Sequence, residues 1–103
     1  MMRRHAESAA EPYDVEGTHS FFHSRKGFQH LRARRRGEFL TVVSGPERDA
    51  INHFRLRRVT KQWWELEVPT SAGRWEQVGL RANRMEIFSA LLTDYPWLLA
   101  PRE

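Results

Sequence analysis

The sequence predicts an α+β fold: an antiparallel meander of four to five strands, one C-terminal amphipathic helix packed on one face, and a disordered N-terminal tail. Three observations carry the expectation. From Phe28 to Leu80 apolar and polar residues alternate with period two in short runs separated by turn residues. From Asn83 to Tyr95 the apolar spacing changes to three and four. Before about residue 22 neither period is present.

The elements follow in order. Residues 1–22 mix small, acidic and basic side chains and are read as a flexible tail; residues 23–103 form the single domain. "FQHLRAR" sets Phe28, His30, Arg32 and Arg34 against Gln29, Leu31 and Ala33, and "EFLTVVS" has the β-branched and aromatic content of a strand. Between them, Arg35-Arg36-Gly37 is a hairpin connection in which glycine supplies a positive φ. "SGPERDA" is a loop by its Gly45 and Pro46. The third strand, "HFRLRRV", opposes Phe54 and Leu56 to His53, Arg55 and Arg57; the fourth, "QWWELEV", opposes Trp64, Leu66 and Val68 to Trp63, Glu65 and Glu67. "PTSAG" turns the chain into a fifth strand, "RWEQVGL". Asn83 to Glu86 has the spacing of a capping box, Met85, Phe88, Leu91, Leu92 and Tyr95 form the apolar stripe of the helix, and Pro96 ends it.

Composition removes whole classes of function. A chain of 103 residues is short enough to bury only about 60–65% of its unfolded surface, so association into a homodimer would help it. Without cysteine there is no disulfide framework, thiolate nucleophile or cysteine-held metal. The longest apolar run, Trp97 to Ala100, is far too short to cross a membrane, and the N-terminus lacks the apolar core of a signal peptide; a cytoplasmic location is expected. No Walker loop, paired carboxylates or Ser-His-Asp spacing is present, so the expectation is a non-enzymatic protein without a cofactor. His19, His23 and His30 suggest a zinc site by spacing alone, but no carboxylate accompanies them, and no metal is expected.

The charge is the informative feature. The formal net charge is +4, and all of it lies in residues 1–37, which carry eight Lys/Arg against four Asp/Glu. Arg25, Lys26, Arg32, Arg34, Arg35 and Arg36 have no acid among them in the sequence. Several arginines on one short ribbon present bidentate donors to phosphates; the blander reading is a solvated strand end guarded against edge pairing. Arg55, Arg57 and Arg58 form a second basic group, which pairing with Glu65 and Glu67 on the next strand would neutralise. Trp63 and Trp75, out of phase with the core or near turns, are candidate platforms for base stacking, whereas Trp64 belongs to the core.

The order of elements over about residues 28–95 is similar in outline to the single-stranded-DNA-binding transcriptional coactivators, the Whirly proteins and the small chromatin proteins built as an SH3-like barrel with a terminal helix. The resemblance is one of topology and implies nucleic-acid binding. The expected function is therefore contact with nucleic acid, single-stranded DNA or RNA being favoured, through Arg25, Lys26, Arg32, Arg34, Arg35, Arg36, Trp63 and Trp75, largely without sequence preference. The alternative is a protein-interaction module that meets an acidic protein partner through Trp97, Leu98 and Leu99 together with the basic hairpin.

Overall fold

The computed structural model describes residues 9–101. Within them the chain forms α1 (Pro12–His23), β1 (Arg32–Arg36), β2 (Phe39–Ser44), β3 (Ile51–Arg58), β4 (Trp64–Pro69), β5 (Trp75–Ala82), α2 (Arg84–Asp94) and a single turn of helix, α3 (Pro96–Leu99). The strands make one antiparallel sheet in sequence order, β1 to β5, an open meander within an α+β fold. No helix among the described residues is long and apolar enough to cross a membrane.

The first hairpin turns on Gly37 and Glu38, with Gly37 at a φ of +58°, where a β-carbon would be strained. Its alternation buries Leu31 and Ala33 and turns Arg32, Arg34 and Arg36 to the other face. Two irregularities bend the sheet: between Val42 and Val43, where β3 carries His53 as an extra residue, and opposite Glu65 and Glu67, where β5 passes Gly79 at φ +80°.

The segment read as a tail is a correction. Residues 1–8 lie outside the described residues, but from Pro12 the chain is helical, and the expected boundary between 22 and 23 falls inside α1. Pro12 sits at the start of the helix, and the backbone N–H of Glu11 donates to the Asp14 carboxylate at 2.8 Å, closing its first turn. The inward residues Asp14, Thr18, Phe21 and Phe22 do repeat at helical spacing. Two of them are polar, so no apolar period announces the helix.

One core joins the inner sheet residues Leu40, Val42, Phe54, Leu56, Trp64 and Leu66 to Phe21 and Phe22 of α1, Ile87, Phe88 and Leu91 of α2, and Leu98 and Leu99 of α3. Phe88 is its centre: its ring lies 5.0 Å from Phe22, 5.2 Å from Phe21 and 6.3 Å from Phe54. The expected single helix is therefore joined in the core by α1 and α3. On α2 the stripe is also rotated, since Ile87 is buried and Met85 is exposed. Asn83 caps α2 by accepting from the Glu86 N–H at 2.8 Å, while Glu86 accepts from Asn83 at 3.3 Å.

Histidines tie elements together. His19 accepts the Ala33 N–H at 2.8 Å, occupying the free edge of β1, and burial together with stacked His23 lowers its pKa from 6.5. His53 lies 2.7 Å from the Leu98 carbonyl through Nδ1 and 2.7 Å from the Ser44 hydroxyl through Nε2. A carbonyl only accepts, so Nδ1 carries a proton and donates it to Leu98, while Nε2 shares a hydrogen bond with the Ser44 hydroxyl. This hydroxyl–imidazole pair is buried between β2, β3 and α3 and fastens the C-terminal turn to the sheet.

Candidate functional site

The outer face of the sheet is assembled by register. One row across the strands runs Arg36, Phe39, Arg57, Glu65, Arg81; the next runs Arg34, Thr41, Arg55, Glu67, Gln77. Arg55 donates to Glu67 at 2.6 Å, Arg57 lies 3.0 Å from Glu65, and Arg81 lies 3.4 Å from Glu65. Cross-strand pairing thus consumes both glutamates, whose side chains are buried beneath the arginines. Counting Arg32, Arg34, Arg36, Arg55, Arg57 and Arg81 against Glu38, Glu47, Glu65 and Glu67, six cations meet four anions and the face keeps an excess of two.

At the centre of this face the Arg55 guanidinium lies between two rings, 3.8 Å from the centroid of Phe39 and 4.6 Å from that of Trp75. Its Nε is held by Glu67, while its two terminal nitrogens have no protein hydrogen bond among the described residues. The stack floors a hollow of about 540 Å³ walled by Arg34, Arg35, Arg36, Thr41 and Asn52. A second hollow, of about 510 Å³, adjoins it through Arg36, Phe39 and Arg55 and extends to the hairpin tip at Gly37 and Glu38. Together they form a groove with aromatic rings in its floor and arginine donors along one side.

The expected site residues separate into those the fold gathers and those it disperses. Arg34, Arg35, Arg36 and Trp75 meet in the groove. Arg32 turns away from it, donating to the Gly45 carbonyl and standing 3.8 Å from Glu47. Glu47 also meets Arg34 at 3.2 Å, so the hairpin is not without an acid; at 76% exposure that carboxylate offers only a screened, weak pair. Arg35 reaches back to the Ala10 carbonyl at 3.4 Å. Arg25 caps the end of α1 by donating to the Phe21 carbonyl at 2.6 Å over the Phe21 ring, and Lys26 is exposed in the following turn. Trp63 is exposed just before β4, three strands from Arg36, or roughly 14 Å at the usual strand spacing.

The C-terminal candidates need correction. Leu98 and Leu99 are core residues, so of the expected partner-binding trio only Trp97 is surface, 63% exposed and tilted against Tyr95. Arg58 is the other displaced residue. In phase with Phe54 and Leu56, it points inward and pairs with Asp14 at 3.7 Å rather than with the glutamates of β4. Phe39, Thr41, Asn52 and Arg55 were missed as groove residues. Alternation alone places Phe39, Thr41 and Arg55 on the outer face, but their meeting with Trp75 requires the register of four strands.

Among the described residues no group of three His, Asp or Glu side chains is arranged to hold a metal. Comparison with protein-family models, curated proteins and solved structures finds no significant match.

Proposed function

We propose that the outer face of the sheet binds single-stranded nucleic acid, largely without sequence preference and without catalysis. The observation that carries this reading is the Phe39–Arg55–Trp75 stack in a groove bordered by Arg34 and Arg36. Rings and a stacked guanidinium offer flat surfaces to any base, and arginines a few ångströms away offer charge-assisted donors to the phosphates that accompany it. A duplex presents its bases edge-on in grooves and cannot lay them on such a floor, so the unpaired strand is favoured.

The test is fluorescence anisotropy of labelled oligonucleotides at several salt concentrations. Phosphate contacts by Arg34, Arg35, Arg36 and Arg55, the arginines that line the groove, give an expected log–log salt slope of about −3 on single strands. Arg36→Ala reduces that slope by about 0.7, and Trp75→Ala weakens binding by about 1–3 kcal/mol across sequences. Absence of binding at low salt refutes the proposal. The alternative, a module contacting an acidic protein, rests on the exposed Trp97 and is favoured if Trp97→Ala abolishes a complex that the groove variants leave intact.

A further inference from the structure

A second concavity lies on the opposite side of the sheet, between α1, the turn joining β3 to β4, and the N-terminus of α2. It measures about 480 Å³, within the range of small-molecule sites. Its floor is charged and almost dry. Asp14 receives Arg84 and lies 3.7 Å from Arg58, with the Arg58 and Asp14 side chains only 4% and 2% exposed. Arg58 is saturated, donating to the carbonyls of Lys61 and Ala9 at 2.7 Å and to the Tyr13 hydroxyl at 3.3 Å. Asp14 is fully used as well, since it also accepts the Glu11 N–H. Arg58, Lys61 and Arg84 against Asp14 leave the cleft an excess of two positive charges, with Asp14 shared between the two arginines and Lys61 exposed at the rim.

Arg84 is placed there against local preference. It opens α2, where the helix dipole disfavours a cation. Its guanidinium lies against Gly17 in the interior of α1, where a β-carbon would collide with it. A mid-helix glycine and a cation at a helix start are both unfavourable, and together they admit one guanidinium to the floor of this cleft. Its Nε is nevertheless buried with no hydrogen-bond partner among the described residues. The walls complete the chemistry: Tyr13 and Met85, 53% and 50% exposed, are large apolar side chains left in water at the cleft.

We propose that this cleft binds a small aromatic oxyanion, a carboxylate or phosphate borne on a single ring, with the anionic group on Arg84 and Lys61 and the ring between Tyr13 and Met85. The site is separate from the nucleic-acid groove and does not rest on that reading. The experiment is a ¹H–¹⁵N NMR titration of the full chain with benzoate and with phenyl phosphate, inorganic phosphate serving as the ringless control. A dissociation constant of about 1 mM or tighter is expected for at least one of the two, with shifts in the Arg84 Nε–Hε signal and the amides of Tyr13, Lys61 and Met85. Which of the two binds more tightly identifies the oxyanion. Lys61→Glu, a change at an exposed side chain, weakens binding at least about tenfold, and Lys61→Gln weakens it less. The proposal is overturned if those signals stay still at about 10 mM ligand, if inorganic phosphate binds as tightly as phenyl phosphate, if Lys61→Glu binds undiminished, or if the shifts fall on Arg36 and Trp75 instead.

Discussion

Replacing Asp14 with alanine should be among the most damaging single changes in this protein. The carboxylate holds Arg58 and Arg84 and accepts the N–H that begins α1. Arg58 and Asp14 are both almost fully withdrawn from water, so screening does not discount their pairing. Removing one partner of a buried ion pair costs about 3–5 kcal/mol, because the remaining charge is stranded. Loss of the helix cap contributes about 1 kcal/mol of the same order. The carbonyls of Lys61 and Ala9 still accept from Arg58, which holds the total near about 4 kcal/mol. For a domain of this size that is a fall in Tm of at least about 15 °C, and a large part of a typical stability of about 5–15 kcal/mol. Urea denaturation followed by circular dichroism measures it. A double-mutant cycle with Arg58→Met isolates the pair: without Asp14, losing the arginine charge should cost far less than in the wild type. Single-site losses below about 1 kcal/mol, or a cycle additive within about 0.5 kcal/mol, would refute the reasoning.

Two further predictions test the packing of α1. His19 must stay neutral to accept the Ala33 N–H, and burial followed by repulsion from His23 puts its folded pKa below 6.5. The unfolded chain then binds more protons over that window, so stability is full above pH 6.5 and declines as the pH falls from 6.5 through the folded value. His19→Gln should flatten this decline in urea midpoints measured from about pH 7 to 5, and identical profiles for the two proteins would count against the assignment. Gly17→Ala would gain about 1 kcal/mol from helix propensity alone. Because the new β-carbon displaces the Arg84 guanidinium from Asp14, the expected net change is destabilising, and a raised urea midpoint would contradict it.

Local periodicity determined much of this protein. Alternation in the sequence was enough to set Leu31 and Ala33 against Arg32 and Arg34, to bury Trp64 and Leu66, to mark Asn83 and Glu86 as a helix cap, and to propose Arg55 and Arg57 opposite Glu65 and Glu67. These features follow from the two-residue repeat of a strand or from a contact three residues away, and a linear sequence displays both. Tertiary structure decided what meets across distance. The helix at Pro12–His23 buries Asp14 and Thr18 along with its phenylalanines, and a polar residue reads as inward-facing only once Arg58 and Arg84 are seen to neutralise it. Trp97 differs from Leu98 and Leu99 only because α3 turns the two leucines into the core. The groove likewise exists because β2, β3 and β5 bring Phe39, Arg55 and Trp75 into one stack. Side-chain phase is a property of one strand, whereas register and the pairing of buried charges belong to the assembled sheet and helices, where the energy of each group depends on neighbours far away in sequence.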